Sequence, residues 1–239
     1  MALADRGAPG ALELTTNDGT VSVSVAIGPD GPVATLTSVA TWVKAAPSEL
    51  LTSSLGLLGW DPDELDGALP PAIAFAGARH LVIAVRKLAT LARLTYPFEA
   101  MGALMREHDL TTLQLVWREG PALFRARDPF PVGGVVEDPA TGAAAAALGA
   151  YLRDRGEITP PAMFEIIQGV EMGRPSRIGI HRARRARRTG HGDRSPDLTR
   201  PGQSRSSVRS AALTRSSKEE PTARFASAAR DASRASPSE

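Results

Sequence analysis

The segment Glu137-Asp138-Pro139-Ala140-Thr141-Gly142, continued by the unbroken run Ala143–Ala147 and then Leu148, Gly149 and Ala150, decides how the rest of the chain is read. It follows a Pro/Gly-rich turn over residues 129–134 and the apolar pair Val135-Val136, so it predicts a strand that feeds directly into a helix. The helix is expected from about Ala140 to Arg155, with Gly156 placed to terminate it. Its first two turns have almost no polar face, and a helix that is small and apolar all round is one enclosed closely by other structure. Local chemistry leaves two readings of its start. In one, Asp138 is an N-cap and Pro139 the first helical residue, as in many ordinary helices. In the other, the free N–H groups of Thr141, Gly142 and Ala143 at the positive end of the helix dipole receive a substrate carboxylate. Asp138 beside them then exchanges or holds a proton, given a pocket that raises its pKa from the usual value near 4.

Working outward, Leu12 and Leu14, then Val21, Val23, Val25 and Ile27, alternate with polar residues around Asn17-Asp18-Gly19, which predicts a hairpin. A turn at Gly28-Pro29-Asp30-Gly31 leads into one further strand run from Val33 to Val43. Pro47 to Leu58 reads as a helix, Asp61 to Leu65 as a short capped one, and a helical pattern follows Tyr96-Pro97-Phe98-Glu99. Strands are expected at Ile73–Phe75, Leu81–Val85, Leu113–Trp117, Phe124–Arg127 and from Phe164 to Gln168. Strands outnumber helices without strict alternation, which predicts an α+β fold rather than a doubly wound parallel sheet.

The 239 residues are 42% hydrophobic and 23% charged, near the globular norm, and the length allows one large domain or two small ones. With zero cysteines, disulfides, thiolate metal sites and thiol nucleophiles are excluded, so acid–base chemistry falls to carboxylates and histidines. The overall charge of +2 hides a split: residues 181–239 carry 14 Lys and Arg against 6 Asp and Glu, a net +8, which leaves 14 against 20, a net −6, for residues 1–180. That tail has only Leu198, Val208, Leu213 and Phe225 as large apolar side chains and is expected to be disordered. Its cluster Arg182, Arg184, Arg185, Arg187 and Arg188 lacks interleaved aromatics, so a solvated tail is expected rather than a nucleic-acid-binding one. No run approaches the roughly 20 apolar residues of a membrane span, and Asp5 and Arg6 occupy the place of a secretory apolar region, so the expected location is cytoplasmic.

The stretch from Gly133 to Leu152 resembles the signature of the phenazine-biosynthesis PhzF-like isomerases. Supporting matches are Phe75-Ala76-Gly77-Ala78-Arg79-His80-Leu81, the Phe124–Arg127 strand, and the segment from Gln168 through Gly173-Arg174-Pro175-Ser176. The resemblance covers about Leu12 to Ile178. It implies a diaminopimelate-epimerase-like architecture: two pseudo-symmetric domains, each an antiparallel sheet wrapped around a central helix, with the active site between them. The expected division is a remnant of the first domain at 1–46, the second domain at 47–180 and the tail at 181–239. The implied activity is isomerisation or epimerisation of a small carboxylated metabolite by carboxylate acid–base chemistry, without cofactor or metal, in a homodimer. Carried over by motif, Asp138 is the acid/base or proton-positioning group, and Thr141, Gly142 and Ala143 bind the substrate carboxylate.

Three departures from the family pattern matter. Ala143 stands where a serine commonly follows the motif glycine, which removes a hydroxyl and keeps the N–H. The family's first-domain glutamate base and its glycine-histidine-alanine-threonine segment belong ahead of Leu12, so the chain is expected to be truncated and without its primary base. After Ser176 the Arg/Ser/Ala-rich tail replaces closing strands, as a shifted reading frame in a GC-rich gene would. The alternative is thus an inactive, truncated family member that binds small carboxylates, serves as a partner subunit or is a pseudogene product. Elsewhere, His80 reads as a capped structural residue, Glu107-His108-Asp109 as a solvated turn, and Arg174 either as an anion contact or as a structural arginine.

Overall fold

The computed structural model describes residues 10–16, 19–28, 31–182 and 208–215. Among them are twelve strands: β1 (Gly10–Thr16), β2 (Gly19–Gly28), β3 (Gly31–Ser38), β4 (Trp42–Ala45), β5 (Ala72–Phe75), β6 (Arg79–Val85), β7 (Thr112–Gly120), β8 (Leu123–Phe130), β9 (Val135–Asp138), β10 (Ala162–Gln168), β11 (Ser176–Arg182) and β12 (Val208–Arg215). Four α-helices accompany them: α1 (Ser48–Leu58), α2 (Leu88–Ala92), α3 (Phe98–Glu107) and α4 (Gly142–Asp154). The strands form one mixed sheet in the order β1-β2-β3-β12-β11-β10-β8-β7-β6-β5-β4, with β9 paired to β8. Only β6 with β7 and β8 with β10 run parallel. This is the α+β architecture that the sequence predicts.

The sheet curls around α4, which packs against β4, β5, β6 and β7 from one side and β3, β11 and β12 from the other. The helix is enclosed as its composition requires: every residue from Ala144 to Leu152 is buried. Ala145, Ala146, Leu148 and Tyr151 share an inner core with Val82, Ala84, Phe124, Ala126, Phe164 and Ile178. Small side chains let the strands come close. A Cβ added at Gly149 would stand 3.1 Å from Ile180 Cγ2. The other face of the sheet is covered by α1, α2 and α3, where Leu50, Leu58, Leu91, Met101 and Met105 pack on Leu81, Ile83, Val85, Leu113 and Leu115. β6 is therefore apolar on both faces, with Val82 and Ala84 turned to α4 and Leu81, Ile83 and Val85 to the outer layer. Full burial of each such Leu or Ile contributes about 1.5–3 kcal/mol.

Two expectations need correction. The Val33–Val43 run is not one strand: β3 ends at Ser38, and β4, after a crossover at residues 39–41, pairs with β5 at the opposite edge of the sheet. Periodicity could not show this break, because buried Val39 and Thr41 continue the apolar pattern through the crossover. The chain also does not lose regular structure at 181. β11 runs to Arg182, and residues 208–215 form β12, antiparallel to both β11 and β3. Without β12 both neighbours would present a row of unpaired backbone groups, so a sequence of weak strand character is used for its main chain. The arginines at 184–188, the rest of the tail, and the expected turn residues Asn17, Asp18, Pro29 and Asp30 lie outside the described residues. Helix α2 has no counterpart in the sequence reading. Among the described residues no helix is long and apolar enough to cross a membrane.

Candidate active site

The Pro/Gly-rich turn at 131–134 lets the chain reverse from β8 into β9, which pairs Asp128 with Asp138 and Pro129 with Glu137. Alternation along β9 sends its two acidic residues to opposite faces. Glu137 turns to the outer layer, where both of its carboxylate oxygens meet the Arg127 guanidinium, Oε2 at 2.9 Å from Nε. Arg127 also donates to the carbonyl of Ala92 at the end of α2 (2.9 Å), so the buried pair rivets β8, β9 and α2 together. The Tyr96 hydroxyl donates to the Val136 carbonyl, and burial, with the Glu137 charge adding to it, pushes the phenol up to about 12. This scaffold faces away from the chemistry and holds β9 still.

Asp138 turns inward, half-buried, toward the start of α4. Its Oδ2 accepts the Thr141 hydroxyl at 2.9 Å, and its Oδ1 lies 3.4 Å from the Ala140 N–H. Gln168, at the end of β10, reaches across with Nε2, donating to the Asp138 carbonyl (2.7 Å) and to Thr141 Oγ1 (3.0 Å), while its Oε1 accepts the Thr141 N–H at 3.3 Å. The Ser176 hydroxyl donates to the Pro139 carbonyl at 2.6 Å. Gly169 begins the turn between β10 and β11 at φ +77°, where an added Cβ would stand 2.4 Å from the Arg174 carbonyl oxygen and 2.9 Å from that of Pro139. Only glycine fits there, and the turn is thereby pressed against the motif.

These clamps explain why the helix starts later than expected. Residues 138–140 are held outside it by Gln168 and Ser176, so Thr141 is the N-cap residue and α4 begins at Gly142. Asp138 is not the cap and Pro139 is not the first helical residue. Thr141 makes no side-chain cap bond either, because its hydroxyl is given to Asp138. The first helical bond runs from the Ala145 N–H to the Thr141 carbonyl, so the N–H groups of Gly142 and Ala143 have no helical acceptor and lie half-buried at the positive end of the dipole. Of the three amides singled out from sequence, Thr141's is thus committed to Gln168, and those of Gly142 and Ala143 remain for a ligand.

The other candidates lie apart from this constellation. His80 is fully buried on β6, with Nδ1 2.8 Å from Thr112 Oγ1, and burial depresses it to about 3. Asp109 sits in an exposed turn after α3 and pairs with Arg79. Arg174 is exposed in the β10–β11 turn. A cleft between Lys44, Pro70, Tyr151 and Arg155 lies at the C-terminal end of α4, away from the motif. Among the described residues no group of three His, Asp or Glu is placed to hold a metal ion. Sequence reasoning missed Asp128, which is fully buried behind Asp138, and the role of Gln168, whose side chain bonds the Asp138 carbonyl and both the N–H and the hydroxyl of Thr141.

Comparison with known proteins places the chain in a family and a fold. The family model described as "Phenazine biosynthesis-like protein" matches residues 1–195. The trans-2,3-dihydro-3-hydroxyanthranilate isomerase of Pseudomonas chlororaphis is 32% identical over 166 residues, which is 70% of this chain and 52% of the relative. The chain spans about half the length of the curated relatives it matches. Two solved structures share the fold, each with a TM-score of 0.66. One is a phenazine biosynthesis protein of Bacillus anthracis (17% identity, covering 90% of this chain and 70% of that one), and the other a predicted epimerase of Pseudomonas aeruginosa (21% identity, 92% and 70%).

Proposed function

Because the chain belongs to the phenazine biosynthesis-like family, we propose that it carries one half of an isomerase site in which Asp138 moves a proton on a small carboxylated metabolite. The observation that carries this reading is the placement of the Asp138 carboxylate beside the unfilled N–H groups of Gly142 and Ala143. In this reading an anionic group docks on those two amides with its adjacent carbon facing the carboxylate. Asp138, ionised and oriented by Thr141, then takes the proton from that carbon. The C–H electron pair enters the neighbouring π system, and the resulting acid returns the proton to the same or a conjugated carbon. No electron is gained or lost, so the reaction requires no redox cofactor. The curated relatives are named for an anthranilate, itself a carboxylate, which suits the amide pair. The family resemblance assigns the other proton-transfer group, a glutamate that is the family's primary base, to the first domain ahead of Leu12, and residues 1–46 are the proposed remnant of that domain. A homodimer completes the proposal.

The test is solvent deuterium incorporation into trans-2,3-dihydro-3-hydroxyanthranilate, followed by NMR with the wild-type chain and Asp138→Asn. Removal of a general base costs about 10²–10⁴-fold in rate, so incorporation is expected to vanish in D138N. Equal incorporation in both proteins refutes the assignment, and tight binding without incorporation in either favours the inactive binder.

A further inference from the structure

The mechanism leaves one buried ionisable group unused. Asp128 stands directly across β8–β9 from Asp138, so the two carboxyls share the inner face of the sheet, yet Asp128 is 0% exposed and neither of its oxygens has a hydrogen-bond partner among the described residues. The polar groups around it explain this. The Thr141 hydroxyl faces both carboxyls but has a single hydrogen, and that hydrogen goes to Asp138 at 2.9 Å. One of the hydroxyl's lone pairs takes Gln168 Nε2, which leaves the other open. Gln114 on β7 lies one step beyond the Leu115–Arg127 pair and hence opposite Asp128; it too is fully buried, and neither its Oε1 nor its Nε2 has a partner. The open acceptors here are a hydroxyl lone pair and an amide oxygen. Gln114 Nε2 is an open donor as well, but a carboxylate only accepts from it and leaves both acceptors unmet, whereas a carboxylic acid accepts from Nε2 and also supplies the missing O–H.

We propose that Asp128 is a buried neutral carboxylic acid and a positioning residue for Asp138: by keeping its own proton it leaves the Thr141 hydrogen to Asp138, which becomes the only charged member of the pair. Two carboxyls on one face cannot both ionise cheaply, and here the buried one holds the proton while the half-exposed one, oriented by Thr141 and Ala140, is free to act as a base. The charged and titratable groups facing the pair agree. Arg127 is spent on Glu137 on the opposite face, His80 on β6 is kept neutral by burial, and Gln168 offers its amide hydrogens to Asp138's carbonyl and Thr141 rather than to Asp128. Burial first pushes the Asp128 carboxyl well above the usual carboxylate range; the nearby Thr141 hydroxyl pulls the other way without reversing this, and Asp138 and Glu137 add to the rise.

The role assigned to Asp138 rests on the proposed function, but the test does not require turnover. Infrared spectra of the full chain at pH 7 are compared for wild type, Asp128→Asn and Asp138→Asn, and the Asp138 carboxyl is titrated by ¹³C NMR in wild type and D128N. The expected result is a protonated-carboxyl band in wild type that D138N retains and D128N lacks. The Asp138 midpoint is expected to be the same in wild type and D128N, because Asn is as neutral as the acid it replaces. No such band, or a band lost in D138N, overturns the proposal. So does a midpoint that falls by more than about one pH unit in D128N, since that would reveal a charge at Asp128 in the wild type. If D128N does not fold, Asp128→Leu, also neutral, is measured in the same way. Absence of isomerisation with the expected spectra would sink the function and leave the protonation of Asp128 standing.

Discussion

Acid should destabilise this fold through His80, by an amount set by that residue's surroundings. The ring is fully buried on the α4 side of β6, its Nδ1 bonded to Thr112 Oγ1 at 2.8 Å and its Nε2 without a partner. Burial lowers it from 6.5 to about 3. A depressed folded-state pKa means that the unfolded chain takes up the proton first, so the stabilisation is complete above 6.5 and is lost as pH falls toward 3. Linkage gives a loss of about 2 kcal/mol between pH 7 and pH 5, and about 4 kcal/mol by the time the folded-state value is reached. Urea denaturation of wild type and His80→Asn, monitored by fluorescence of buried Trp60, measures it. Asn keeps a polar atom near Thr112 but does not titrate. Its cavity cost is the same at every pH, and contributions from other groups cancel in the difference. The stability gap between the two proteins is therefore expected to change by about 2 kcal/mol between pH 7 and 5. A gap that stays constant over that interval would refute the argument that burial holds the imidazole neutral.

Three further outcomes follow from the packing. Arg127→Met leaves Glu137 buried with no cation and should cost about 3–5 kcal/mol in urea denaturation, most of it recovered when Glu137→Leu is added. Gly149→Ala gains up to about 1 kcal/mol of helix propensity but forces a methyl to within 3.1 Å of Ile180 Cγ2, and a loss of about 1–3 kcal/mol from overpacking should dominate in thermal melts. Ala143→Ser adds a hydroxyl beside the open amides of α4, and one extra bond to a charged acceptor, about 1.5 kcal/mol, should tighten binding of a carboxylate ligand roughly tenfold by calorimetry.

The motif was legible because its information is local. Six residues name a turn, a carboxylate and a helix start, and the alanines that follow require burial wherever the chain goes. Asp128 was illegible for the opposite reason. Followed by Pro129 it reads as the end of a strand and the start of a turn, and nothing nearby in sequence says that β9 and α4 will close over it. Gln168 stood out only as the first residue of a matching segment. Its function depends on three hydrogen-bonded atoms that lie 27 to 30 residues away. The strand at 208–215 was missed because pairing used its backbone, and composition reports only on side chains.

Fold and candidate site rest on one constraint. An apolar helix such as α4 can be buried on all sides only if the sheet bends around it, and bending brings strands distant in sequence, β8 and β10, alongside each other. β8 carries the hairpin into β9, and β10 ends at Gln168, so the same contact that encloses the helix places Asp138 and its clamp at the helix's open end. At that end the N–H groups of Gly142 and Ala143 have no helical acceptor. The acidic pair is arranged around them with one carboxyl inside the core and one at its rim. Differential burial of two otherwise identical groups is what separates a stored proton from a working base, and it is a property of the enclosure, present in neither aspartate alone.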